Sequence, residues 1–378
     1  MIKRFLIIGL MARLVYLPIY AQTPRKEHTN ESMPQLAQAG QGAYLKGELI
    51  YPLDHKPTPQ CHASTIIETP SGMIAAFFAG TREGDPDVGI RIAHWSNGKW
   101  SWPVEVANGY INDSLRYPCW NPVLFQPKGG PLMLFYKVGP SPQKWWGMVM
   151  TSTDDGRSWS VPRKLGDDPK IGHLLGPVKN KPVQLSDGTI MNPTSMESPG
   201  TANGIKWQVY FEMSKDLGKT WRVVGPINDG KEFDAIQPSI LTYPAGRLQV
   251  VCRTAQDVLV QSWSTDSGKT WSELTALPLP NPNSGTDAVT LQDGRQLLVY
   301  NHTTKKGVEP KGRNMLNVAV SSDGKDWKLV LTLENEPVED GYAYPAVIQS
   351  KDGLVHITYT FNRRSIKHVV LDPNKLNE

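Results

Sequence analysis

The chain has 378 residues, including 33 Gly, 31 Pro and 12 Trp, and a formal net charge of +4. Three of its cations, Lys3, Arg4 and Arg13, fall in an N-terminal targeting pattern, so the remainder carries about +1 and makes no electrostatic case for nucleic acid or a membrane surface. Cys61, Cys119 and Cys252 are too few and too scattered for a disulfide framework or a structural zinc site, though one pair among them stays open. In chain order, Lys3 and Arg4 lead into an apolar run from Phe5 to Leu10, and Ala21 follows as a small residue. This reads as a secretory signal over residues 1–21, which places the protein outside the cell or in a periplasm. Arg13 interrupts the run and argues against a spanning helix. Residues 22–44 are polar and rich in Gln, Pro and Ser, the composition of a flexible leader. Residues 45–52 are expected to add a strand that closes the domain filling residues 45–378.

From there the chain is punctuated by six glycine turns, at Gly72, Gly130, Gly188, Gly246, Gly294 and Gly353. They step by 58, 58, 58, 48 and 59 residues. Each lies between two short β-rich runs, such as Ser64-Thr65-Ile66-Ile67 before Gly72 and residues 73–78 after it, which is a hairpin signature. Repeats of this length that hold several strands predict an all-β, six-bladed β-propeller with one central pocket.

A second repeat runs out of phase with the first. Its form, S-x-D-x-G-x-[ST]-W, recurs at Ser152 to Trp159, Ser214 to Trp221 and Ser264 to Trp271. A version one residue shorter spans Ser321 to Trp327, and a worn one spans Ser96 to Trp100. In these Asp-box turns the carboxylate accepts backbone N–H bonds, Gly supplies a positive φ, and Trp packs beneath the loop. They are expected to fasten the outer edge rather than to catalyse.

If the first strand of each hairpin lines the channel, its entry residues ring one mouth. Counting back from the turns gives His62, Asn121, Lys181 with Lys179, Gln237, Asp287, and Tyr342 with Tyr344. Counting forward gives Arg82, Lys137, Arg253, and Asn301 with His302. Convergent polar groups in a concave pocket are the default binding site. The excess of Arg and Lys favours an anionic ligand, and a carboxylate suits the guanidinium fork. Trp120, next to the rim, is the better candidate for a sugar-stacking wall, with Trp145 and Trp146 beside it. No motif names a metal or an organic cofactor, and a closed ring is expected to be a monomer.

With these residues in place, the stretch from about residue 58 to 372 resembles the sialidase superfamily in its Asp-boxes, blade count and site register. The resemblance implies a substrate carboxylate held by three arginines, a tyrosine nucleophile activated by a glutamate, and an acid/base aspartate on a loop. Arg253 matches the second arginine and Arg313, more loosely, the third. Tyr342 falls at the nucleophile, and the loop from Gly80 to Gly89 offers Asp85 or Asp87 as the acid. Two positions depart from the pattern. His62 stands in the segment where the first arginine is expected, and Gln237 stands at the activating glutamate. An amide cannot take a proton from tyrosine, so the usual activation is missing.

Three readings follow. In the first, an exo-acting glycoside hydrolase removes a terminal acidic sugar, sialic acid-like or uronic. Arg253, Arg313 and Arg82 hold the carboxylate, with His62 as substitute base and Asp287 as a second acid. In the second, a lyase on the same scaffold acts on uronic-acid glycans, using His62, His94 or His173 with Tyr342, assisted by Arg253 and Lys181. In the third, a non-catalytic lectin retains only glycan binding, which the Gln237 substitution motivates.

Overall fold

The computed structural model describes residues 33–200, 204–307 and 309–376; the expected signal segment lies outside them. Six antiparallel sheets stand around a common axis as the blades of a β-propeller. Their inner strands are Gln60–Thr69 (blade I), Cys119–Phe125 (II), Val183–Gln184 (III), Ala235–Thr242 (IV), Asp287–Thr290 (V) and Tyr342–Gln349 (VI). Blade VI borrows its outermost strand, Tyr44–Leu49, from the other end of the chain, paired antiparallel with Ser365–Leu371. This is the closing strand expected over residues 45–52. Just before it, Ala37 N donates to Thr332 O at 2.8 Å and Thr332 Oγ1 donates to Pro34 O at 2.8 Å, so the end of the expected leader lies against blade V.

The apolar residues form a layer between each pair of neighbouring blades. Phe78, Ile90 and Ile92 of blade I meet Leu134 and Tyr136 of blade II, and Met191 and Phe211 of blade III meet Val250 and Cys252 of blade IV. Val299 and Val318 of blade V meet Val347 and Ile357 of blade VI. Period-2 alternation gives each strand two buried faces, because each sheet has a neighbour on either side. Burying one such Val, Leu or Phe side chain contributes about 2 kcal/mol. The three cysteines are free and buried in these layers.

All six turn regions adopt positive φ at glycine, at Gly72, Gly129, Gly188, Gly246, Gly294 and Gly353. The Ser/Asp/Gly/Trp turns join third and fourth strands. In one, Asp266 Oδ1 accepts from Thr270 N at 2.9 Å and Trp271 Nε1 donates to Gly268 O at 3.2 Å. Each leans on the blade before it. A Cβ on Gly156 would lie 2.8 Å from Ile74 of blade I, and one on Gly268 would lie 2.8 Å from Met191 of blade III.

A third regularity lies at the opposite end of the inner strands. In blades I, II, IV and VI the pairing slips by one residue near the strand start. The bulged residues, Ala63, Asn121, Gln237 and Tyr344, have φ of 55, 38, 58 and 54°. Lys179 matches them in blade III with φ 74°. All five stand nine residues before their turn glycine, and Gly285 holds that position in blade V. A left-handed residue followed by one opposed to the same partner makes a bulge that re-aims its side chain. Proline tolerates the second position because the ladder needs no N–H there, hence Pro122, Pro238 and Pro345.

Candidate functional site

The four bulges and the matching positions Lys179 and Gly285 ring the mouth of the channel, and the side chains of Lys179, Gln237 and Tyr344 meet there. A Cβ on Gly285 would lie 3.0 Å from Gln237 Oε1, 3.1 Å from Lys179 Cε and 3.2 Å from Tyr344 Cδ2. Tyr344 is the centre of the group. Its hydroxyl accepts from Arg253 Nη1 at 2.8 Å and from Gln237 Nε2 at 3.3 Å. Arg253 Nη1 also donates to Gln237 Oε1 at 3.2 Å. The guanidiniums of Arg313 and Arg253 lie 5.5 and 5.7 Å from the Tyr344 ring centroid, and the His62 ring packs at 4.2 Å. Arg253 is stacked over Trp207 at 5.2 Å and is only 7 % exposed, with a buried Nε that finds no acceptor.

Tyr342, the sequence-based nucleophile, is not in this group. It is buried against Phe361 in the layer between blades V and VI, and its hydroxyl donates to Glu336 O at 2.9 Å. Burial and the nearby Glu334 and Glu336 push the phenol up to about 12. Strand alternation would give residues 342 and 344 one face, and the bulge at Tyr344 breaks that rule.

The loop after the second strand of blade I is committed differently from expectation. Asp87 Oδ2 accepts from Thr81 N and Thr81 Oγ1, both at 2.8 Å, which makes it a loop staple. Asp85 faces Arg82 at 3.3 Å, and the Arg82 side chain is 73 % exposed. The residue of this loop that reaches the arginines is Glu83, paired with Arg363 at 2.6 Å.

Arg363 was not among the sequence candidates. It sits in the turn between the second and third strands of blade VI with φ 48°, and its carbonyl accepts from Cys61 N at 2.8 Å. Its guanidinium thus arrives beside the blade I position that holds His62. Burial and then the charges of Arg363, Arg313, Arg253 and Lys179 hold the His62 imidazole well below its ordinary pKa, and its Nδ1 is within 2.9 Å of Thr360 Oγ1. A neutral, packed imidazole fits the geometry better than a free base. Burial also lowers the Arg313 pKa, with Tyr344 opposing and Arg253 and Arg363 adding to the fall.

Beneath the mouth the channel is filled by its own ion pairs. Lys181 Nζ donates to Asp287 Oδ2 at 2.9 Å and to Ala288 O at 2.7 Å, and Asp287 also accepts from Val347 N at 2.9 Å. Neither Lys181 nor Asp287 opens to a ligand as the sequence suggested. Lys179 Nζ donates to Asn180 Oδ1 at 2.8 Å, Pro345 O at 2.5 Å and Thr286 O, tying blades III, V and VI together. Burial pulls its pKa down to about 7 against the attraction of Asp287. Three acceptors match the three donors of an ammonium. Lys137 donates to Pro177 O, and Asn301 Nδ2 to Met315 O at 2.6 Å and Tyr342 O at 2.8 Å, so both serve the scaffold. Asn121 is a buried bulge residue of blade II.

Trp120 is buried, its Nε1 donating to Gly139 O at 2.9 Å, and its ring meets Trp145 edge-on at 5.9 Å. The wall it belongs to is therefore packed rather than open. Beside it is a hollow of about 340 Å³ lined by Gln143, Lys144, Trp145, His173, Met196 and Glu197.

A closed ring of six four- to five-stranded blades is a sialidase-like β-propeller fold. The family model for the BNR repeat-like domain matches residues 71–357, and the chain belongs to that family. A sialidase of Bacteroides fragilis is 28 % identical over 191 residues, covering 47 % of this chain and 32 % of its own length. The chain thus spans about a third of that relative. Among solved structures, a protein of unknown function from Dyadobacter fermentans superposes with a TM-score of 0.71 at 19 % identity, over 87 % of this chain and 98 % of that one. A Streptococcus pneumoniae sialidase gives 0.66 at 13 % identity, over 85 % and 70 %. At these identities the structures speak for the fold alone.

Proposed function

We propose that the protein is an exo-acting glycoside hydrolase that removes a terminal acidic sugar, sialic acid-like or uronic, from a glycan. The observation that carries this reading is Arg253, whose buried Nε lacks an acceptor while its Nη1 is fixed on Tyr344. A buried guanidinium with an unspent donor calls for an anionic ligand, and a carboxylate meets it with two oxygens. Arg313 stands at the same tyrosine ring, and Arg363 supplies a third cation from blade VI. Tyr344 is the group that meets the anomeric centre as positive charge develops there. The N-terminal pattern in residues 1–21 supports action outside the cytoplasm, and a monomer is the expected form.

The test is incubation with glycans capped by sialic or uronic acids, with products read by mass. A released acidic monosaccharide carrying one added water is the expected result; an unsaturated product would instead mean a lyase. The lectin reading has its own support in Gln237, an amide where a proton acceptor is expected, and binding without any product would establish it. Replacing Arg253 by Lys removes the fork, and KM for an acidic glycan is expected to rise about 30-fold, the worth of about 2 kcal/mol for a hydrogen bond to a charged group.

A further inference from the structure

The mouth lacks a carboxyl at Gln237, and most of the nearby acids are already engaged. Asp287 is held by Lys181 and two backbone N–H groups, Glu83 by Arg363, Asp85 by Arg82 and Asp87 by Thr81. Glu197 differs from them. It belongs to the second strand of blade III, Ile190–Pro199, which with Ile205–Ser214 is far longer than the two-residue inner strand of that blade. Ser195 of this strand accepts from Gln237 N at 3.2 Å through its Oγ. Two residues further on, Glu197 is on the same face of the strand, one step above Gln237. Its register partner across the hairpin is Trp207, the residue stacked under Arg253. Gln143 Nε2 donates to Glu197 Oε2 at 2.9 Å, and among the described residues Glu197 has no ion pair at salt-bridge distance.

We propose that Glu197 is the proton-transfer carboxyl of this site, and that the adjoining hollow receives the leaving part of the glycan. This rests on the glycoside-hydrolase reading above. The hollow is bounded by Glu197 and Met196 on one side and by Gln143, Trp145 and His173 on the other, a wall of mixed polarity suited to a neutral sugar. Burial raises the Glu197 pKa, with the Arg253 charge and then hydrogen bonds from Trp207 and Gln143 opposing, the direction that a proton-donating carboxyl needs. The step is balanced. The Glu197 proton passes to the glycosidic oxygen while the bond from that oxygen to the anomeric carbon breaks and its electron pair stays on oxygen. Water then bonds to the anomeric carbon and returns a proton to Glu197.

The experiment compares Glu197→Gln with the wild type on 3'-sialyllactose, whose leaving sugar needs a proton, and on 4-methylumbelliferyl sialoside, whose leaving phenol does not. Lactose release is expected to fall at least about 100-fold, aryl release less than about 10-fold, and the basic limb of the pH profile for sialyllactose to disappear. Glu197→Asp, which keeps a carboxyl, is expected to restore part of the lactose rate; this guards against a loss caused by misfolding. Equal losses on both substrates, or none on either, overturn the assignment while leaving the hydrolase reading intact. A wild-type chain that releases no acidic sugar from these two substrates or from the uronic-acid-capped glycans above overturns both together.

Discussion

Tyr342 and Tyr344 are two positions apart, yet one is sealed between blades and the other stands at the mouth. Their conservative variants separate the two roles. Tyr344→Phe keeps the ring that packs on His62 but removes the acceptor for Arg253 and Gln237, and kcat is expected to fall about 100-fold or more while the melting temperature barely moves. Tyr342→Phe deletes only a hydrogen bond to the Glu336 carbonyl, so turnover is expected to persist with a loss of about 1 kcal/mol in stability, measured by denaturant melts. At this scale the sequence was legible where a residue acts from its own strand. Arg253 and Gln237 fell where counting from the turns put them. Arg363 did not, because it enters from a turn of blade VI to stand beside blade I, and no local count reaches across that closure. Glu197, proposed above, lies on the second strand of the long hairpin of blade III, outside the strand-entry positions that the count names.

The bulge is the element that decides which side chains face the mouth of the channel. Its signal was present in the sequence as a constant nine-residue interval ahead of each turn glycine, naming Ala63, Asn121, Lys179, Gln237, Gly285 and Tyr344. A rule of strict alternation hides it, because a bulge exchanges the two faces of a strand at one residue. The six hairpin turns were legible for the opposite reason, since positive φ is a local demand that glycine meets. Gly285→Ala tests the convergence of the bulge side chains. The added methyl would sit 3.0 Å from Gln237 Oε1 and 3.2 Å from Tyr344, so catalytic activity is expected to drop with little change in melting temperature. The outer turns are a separate element with a separate test. Trp271 stacks on Phe211 at 4.6 Å within blade III–IV packing, and Trp271→Ala is expected to cost about 3 kcal/mol by thermal or denaturant unfolding without altering KM.

At the scale of the whole ring, stability depends on how blade VI is sealed. His356 and His368 stack there with Nδ1 and Nε2 at 3.0 Å, and Glu48 of the closing strand lies 3.3 Å from His368. Burial, and then the charge of His368, lower the His356 pKa to about 4, with Asp352 opposing. His368 is also lowered by burial, and Lys46 adds to that fall against the pull of Glu48. An unfolded histidine titrates near 6.5, so between about 6.5 and 4 the unfolded chain takes the proton first. The stability is therefore intact above that window and lost as pH falls through it, by about 3 kcal/mol from His356. Unfolding free energies measured across this range should show the slope, and His356→Gln should flatten it.

The strand Tyr44–Leu49 is made before any of the six blades, yet its partner, Ser365–Leu371, is the last strand of the ring to follow. While the strands between them are being made, the closing strand has no seat, and the edge it will cover does not exist. Pairing over so long a loop is slow to nucleate. Closure of the ring thus waits for its last strand, and a nascent chain stalled before residue 365 would carry its closing strand as an exposed sticky end.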